Sequence, residues 1–203
     1  MTQLAEQLLF LPGASGNMQF WEPVATRLHH PAARSFIGWP GFGGLPRDPE
    51  VYGLDELIAR VVRQIDRPSD LLAQSMGGVI ALSAALQRPE LVRHLVLSTT
   101  SGGLDVAALG GTDWRASFRA QFPAVPAWFE HERRDLSARL CELHMPVLLL
   151  WGDRDPISPV AVGERLAELL PNATLIVVEG GDHDLVQERA DEIAPRVEAH
   201  LRR

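Results

Sequence analysis

Four short stretches of the chain carry groups suited to nucleophilic chemistry, and each follows an apolar run. Ser75 stands in Ala73-Gln74-Ser75-Met76-Gly77-Gly78, and Asp153 and Asp155 stand in Trp151-Gly152-Asp153-Arg154-Asp155-Pro156. His183 closes Glu179-Gly180-Gly181-Asp182-His183, and Leu11-Pro12-Gly13-Ala14-Ser15-Gly16 is a glycine-rich loop. Acyl transfer needs these parts: a hydroxyl, a base to take its proton, an acid to orient the base, and backbone donors for an oxyanion. Ser75 lies where a predicted strand gives way to a helix. Such a turn lifts a serine clear of the sheet and aims the first amides of the helix at the same point. The turn is crowded, and the residues two before and two after Ser75 are the small Ala73 and Gly77. A plain helix cap is the other role a serine fills here.

The elements that must position these groups alternate. Apolar runs at Gln7–Leu11, Ala33–Ile37, Asp70–Ala73, Leu91–Leu97, Val147–Trp151 and Thr174–Val178 suit strands buried on both faces of a parallel sheet. Helical spacing fills most gaps: Leu54, Leu57, Ile58, Val61, Val62 and Ile65 share one face, and Val79–Leu86, Val160–Leu170 and Leu185–Leu201 behave alike. The expected fold is a doubly wound α/β domain over 1–203, with a mainly parallel sheet of about six strands and helices on both faces. In such sheets chemistry collects at the carboxyl ends of the strands, where Ser75, both aspartates, His183 and the glycine loop all fall. Residues 101–144 break the alternation and carry Trp114, Phe118, Phe122, Trp128 and Phe129. An insertion of this length in a compact domain is usually functional. The expectation is a short helical lid, with Trp114, Phe118 and Trp128 lining an apolar substrate pocket.

Composition narrows the function. Of 203 residues, 46 % are hydrophobic and 22 % charged, which fits a globular protein and not a disordered one. A formal charge of −7 argues against a nucleic-acid surface, and Arg133-Arg134 is flanked by Glu132 and Asp135. No apolar run approaches the roughly 20 residues of a membrane span. The N-terminal stretch lacks the basic cluster of a signal peptide. A single cysteine, Cys141, fits a reducing cytoplasm. No metal-ligand spacing and no phosphate-cradling glycine motif is present, so no metal and no cofactor are expected. The partner expected is a small-molecule substrate, with neither nucleic acid nor membrane. The histidines His29, His30, His94, His131, His144 and His200 fall in or beside amphipathic helices or loops, where surface or structurally satisfied histidines are the rule.

The run around Ser75 resembles the G-x-S-x-G nucleophile elbow of α/β hydrolases, with Ala73 in place of the first glycine. The order Ser75…Asp155…His183 also matches that fold's order. The resemblance implies Ser75 as nucleophile, His183 as general base and acid, and Asp155, the second aspartate of Gly-Asp-x-Asp-Pro, as the orienting acid. Asp153 would then serve the turn. It also implies an oxyanion hole from the amides of Met76 and Ala14, with Ser15 as the alternative donor. Pro12 stands where the family commonly has histidine. Gly38-Trp39-Pro40-Gly41-Phe42-Gly43-Gly44 is similar to the family's loop after its second parallel strand, without the usual acid and final serine. The family's opening antiparallel strand pair is not expected. The activity implied is hydrolysis of a small carboxylic ester or thioester through an acyl-enzyme. Two alternatives stay open. One is a carbon–carbon lyase or synthase of the menaquinone-pathway type, using the same triad as a base, with Arg115, Arg119, Arg133 and Arg134 as partners for an anionic substrate. The other is a binding protein that keeps the elbow without turnover.

Overall fold

The computed structural model describes residues 4–203; residues 1–3, the start of the N-terminal stretch read above for a leader, lie outside the described residues. Six strands, β1 (Gln7–Leu11), β2 (Ala33–Phe36), β3 (Ser69–Gln74), β4 (Val92–Ser98), β5 (Val147–Gly152) and β6 (Ala173–Val178), form one sheet in the order β2-β1-β3-β4-β5-β6. Every neighbouring pair is parallel. Successive side chains point to opposite faces, so Leu9 and Leu11 of β1 enter one core while Leu8 and Phe10 enter the other. That double burial is why the central strands read as unbroken apolar runs. Burial falls away on the edge strands β2 and β6.

On one face pack α2 (Leu54–Gln64), α3 (Met76–Ala85) and α6 (Val160–Leu169); on the other pack α1 (Glu22–Ala25), α7 (Leu185–Glu188) and α8 (Ala190–Leu201). All ten residues of α3 are buried, which explains a helix apolar on every side. The helix expected over 185–201 is divided. Arg189, at φ −115° and ψ 34°, leaves the helical region, and its guanidinium reaches the Glu179 carbonyl and the Glu192 carboxylate. β2 and β3 lie on opposite sides of β1, so the chain reverses direction across the sheet at the β1/β3 junction. The crevice at the carboxyl ends of these two strands is where doubly wound sheets bind ligands.

Between β4 and β5 the chain builds α4 (Arg115–Gln121), α5 (Trp128–His131) and two 3₁₀ turns, Ala107–Leu109 and Leu140–Glu142. Its aromatic residues stack into one cluster. Trp114, Phe118 and Trp128 each lie within 6.2 Å of the Phe129 ring, and Trp128 and Phe129 meet Phe42. Polar contacts tie the segment down: Arg47 donates to the Ala124 carbonyl (2.8 Å), Arg134 pairs with Asp55 (2.8 Å), and Thr112 bonds the Pro156 carbonyl through amide and hydroxyl. No helix among the described residues is long and apolar enough to cross a membrane.

Candidate active site

Ser75 occupies the single residue between β3 and α3, at φ 52° and ψ −120°. A non-glycine residue there is strained by on the order of 1–3 kcal/mol, so its neighbours must hold it. They do so through the backbone. The Ser75 amide donates to the Ser98 carbonyl (3.0 Å), and the Ser75 carbonyl accepts from Gly78 N–H (3.0 Å) and the Thr100 hydroxyl (2.6 Å). The crowding is real on the helix side. A Cβ on Gly77 would lie 2.5 Å from the Pro12 carbonyl oxygen, and one on Gly78 would lie 2.5 Å from Thr100 Oγ1. Ala73, the residue that departs from the usual elbow, is wholly buried in β3.

The loop after β1 closes against the elbow. A Cβ on Gly13 would stand 2.2 Å from Gln74 Oε1 and 3.1 Å from Ser75 Cβ, so a side chain there would displace the Gln74 amide and press on Ser75. Two buried indoles fix the loop: Trp21 donates to the Leu11 carbonyl (3.2 Å) and Trp39 to the Pro12 carbonyl (3.0 Å). The amides of Ala14 and Met76 belong to buried residues and bond to no other protein group among the described residues. The alternative donor, Ser15, sits one residue further along, and its hydroxyl accepts from Asn17 N–H at 3.4 Å.

Asp155 and His183 meet. His183 Nδ1 lies 2.7 Å from Asp155 Oδ2, while Asp155 Oδ1 accepts the amides of Ile157 (2.8 Å) and Ser158 (3.1 Å). The Asp155 side chain is fully shielded, and that of His183 is 20 % exposed. Three donors on one buried carboxylate leave it little to do except accept and orient. Asp153 lies apart from His183's ring, accepting Gly180 N–H at 2.6 Å and so closing the histidine loop. The His183 carbonyl accepts from Thr99 Oγ1 (3.0 Å) and Gln74 Nε2 (3.3 Å), which seats the base loop on β3 and β4. Among the described residues no hydrogen bond joins Ser75 Oγ to the free Nε2 of His183; such bonds commonly tighten only with substrate in place. Asp184 lies on the surface, yet loop crowding strips enough hydration to raise its carboxyl above the usual range, with Asp182 and Asp155 adding and His183 opposing.

A sequence profile of the Alpha/beta hydrolase family matches residues 8–196. The chain belongs to that family. Among family relatives, the pimeloyl-[acyl-carrier protein] methyl ester esterase of Neisseria meningitidis serogroup C is 24 % identical, over 90 % of this chain and 88 % of that enzyme. The uncharacterized hydrolase YugF of Bacillus subtilis is 28 % identical over 71 % of this chain and 69 % of that protein. The family fold is shared with an esterase from Exiguobacterium antarcticum (TM-score 0.79, 17 % identity, 100 % of this chain and 94 % of that one). It is likewise shared with a thermophilic esterase from Thermogutta terrifontis (TM-score 0.78, 20 % identity, 99 % and 91 %).

The arginines considered as partners for an anionic substrate are occupied. Arg115 pairs with Asp113, Arg119 with Glu130, and Arg134 with Asp55 and Glu132, while Arg133 donates to the Glu130 and Glu132 carbonyls. Among the described residues no three His, Cys, Asp or Glu side chains gather as a metal site would need. Sequence reasoning passed over Gln74, Thr99, Thr100, Ser158, Trp21 and Trp39, all of which hold the site's loops. Position was the one available signal, because each lies in or beside a segment already singled out.

Proposed function

We propose that this chain is a serine esterase acting on small, neutral carboxylic esters or thioesters. Ser75 attacks the carbonyl, and His183 takes its proton and later delivers it to the leaving group. Asp155 holds the imidazole with Nδ1–H towards itself and stabilises the imidazolium as it forms. The amides of Ala14 and Met76 hold the tetrahedral oxyanion, and water then releases the acyl group from Ser75. The observation that carries this reading is the shielded Asp155–His183 pair at 2.7 Å, on a loop that Gln74 and Thr99 hold beside the turn of the strained Ser75. The methyl ester of pimeloyl-[acyl-carrier protein], named as the substrate of the Neisseria relative, supports ester chemistry in this chain as well. Residues 101–144 serve as the lid, and Trp114, Phe118 and Trp128 wall the acyl site with apolar surface; their common cluster supports that role.

The lyase alternative is disfavoured, because the arginines that would meet an anion are already committed to carboxylates and carbonyls. A panel of p-nitrophenyl esters tests the proposal, with neutral acyl chains of two to eight carbons beside an anionic hemisuccinate. Neutral esters are expected to turn over, the hemisuccinate more slowly, and Ser75→Ala to abolish turnover by ~10³-fold or more. A panel in which no ester is hydrolysed contradicts it.

A further inference from the structure

The nucleophile, the acid and the base arrive on three separate loops, yet buried and part-buried hydrogen bonds run between all three. Thr100 Oγ1 donates to the Ser75 carbonyl at 2.6 Å, and the Thr100 carbonyl accepts from Ser158 Oγ at 3.1 Å. The Ser158 amide donates to Asp155 Oδ1 at 3.1 Å, and Asp155 Oδ2 meets His183 Nδ1 at 2.7 Å. The His183 carbonyl then accepts from Gln74 Nε2, one residue before Ser75, which closes a ring. Thr100 and Ser158 are wholly or almost wholly buried, so water cannot replace either hydroxyl cheaply.

We propose that Thr100 and Ser158 form a positioning bridge that fixes the Ser75 elbow relative to the acid loop. The inference rests on the reading of Ser75, Asp155 and His183 as a working triad. Its physical basis is the strained Ser75 backbone, whose carbonyl has two partners. One is the Gly78 amide of α3 itself; the other, Thr100 Oγ1, is among the described residues the one link from that carbonyl to the loop that follows β4. Thr100 Oγ1 also accepts Gly102 N–H (3.1 Å), and it packs where any Cβ on Gly78 would collide with it, so its rotamer is set from two sides. Ser158 is anchored in turn, because its carbonyl accepts the Trp151 indole N–H at 2.9 Å. Neither residue touches the reacting atoms. Losing either should misplace the hydroxyl relative to the imidazole by a fraction of an ångström, a displacement that chemistry feels and ground-state binding does not.

The test compares wild type with Thr100→Val, Thr100→Ser, Ser158→Ala and the Thr100→Val/Ser158→Ala double variant. It records kcat, KM and melting temperature, and maps fluorophosphonate label on Ser75. Thr100→Val is expected to lower kcat ~30-fold and Ser158→Ala ~10-fold, each with KM within about twofold. Thr100→Ser should recover most of the loss. The double variant should fall short of the product of the two losses, because both cut the same bridge. Single variants that stay folded with kcat within about twofold of wild type overturn the bridge, and so do fully multiplicative losses. If Thr100→Val fails to fold, Ser158→Ala decides by the same criteria. Absence of label on wild-type Ser75 strikes the triad reading itself; intact label with unchanged kcat in both variants strikes the bridge alone.

Discussion

Two aspartate–histidine pairs stand at opposite ends of this sheet, alike in chemistry and in the shielding of their carboxylates but not in what surrounds them. At the carboxyl ends of the strands, Asp155 and His183 meet at 2.7 Å. At the amino ends, Asp70 of β3 and His94 of β4 are register partners and meet at 2.9 Å. Both aspartates are fully shielded. The upper carboxylate is saturated, with two backbone amides on one oxygen and the imidazole on the other. The lower one leaves Oδ2 without a hydrogen-bond partner among the described residues. The His183 side chain keeps 20 % of its surface open beside the elbow, whereas that of His94 keeps 6 % and faces the ring of His200 at 5.3 Å. An imidazole–carboxylate pair is therefore not a site by itself. In the proposed reading it becomes one at the carboxyl ends of the strands, where Ser75 and the amides of Ala14 and Met76 complete it.

Breaking the two pairs should separate rate from stability. Asp155→Asn is expected to lower kcat by ~10³–10⁴-fold, since the amide favours the wrong imidazole tautomer. Asp70→Asn should leave the rate of folded enzyme within about threefold; comparable rate losses in both variants would erase the distinction. The next effect is on folding. Removing one partner of a buried pair costs on the order of 3–5 kcal/mol. His94→Ala should therefore lower unfolding free energy in urea by about 3 kcal/mol, more than His183→Ala does.

Acid sharpens the comparison at the lower end. Burial, reinforced by nearby His94 and Arg203, lowers the pKa of His200 from 6.5 to about 4, while its hydrogen bond to the Leu95 carbonyl (3.1 Å) and the nearby Pro146 carbonyl oppose the shift. Burial also lowers that of His30 against the pull of Asp70 and Glu198. Between pH 6.5 and about 4 these two sites thus bind more protons in the unfolded chain than in the native one. Their contribution to stability is complete above pH 6.5 and drains away as the pH falls to about 4, by about 3 kcal/mol for His200. Urea titrations at pH 7 and pH 4.5 should record this loss, and His200→Phe should remove most of it. The smallest effect concerns the second aspartate of the acid loop. Asp153→Asn keeps an acceptor for Gly180 N–H, and its kcat should stay within about threefold of wild type. A loss near that of Asp155→Asn would transfer the orienting role to Asp153.

The sheet was legible because strands buried on both faces leave an unmistakable record. Six apolar runs became six strands, with no bound shifted by more than one residue. The break at Arg189 was not legible, since the apolar spacing of 185–201 continues through it while the backbone departs. Strand-end position and family order singled out Ser75, Asp155 and His183, and the structure brings Asp155 to His183 and the Gly13 loop to Ser75. His30, His94 and His200 looked like ordinary helix or loop histidines. Their burial depends on β3, β4, α8 and the α1–β2 loop converging, which no local pattern encodes. Thr100 and Ser158 were equally silent, because a short polar residue after a strand reads as a turn until its partners across the sheet are known.

The central claim is that Ser75 alone carries an activated hydroxyl. Wild-type protein treated with a fluorophosphonate, digested and mapped by mass spectrometry tests it most directly. One modified peptide is expected, with the adduct on Ser75, absent in Ser75→Ala and unchanged in Ser98→Ala. An unlabelled wild-type protein, beside a control esterase that labels fully, or an adduct on any other residue, would contradict it.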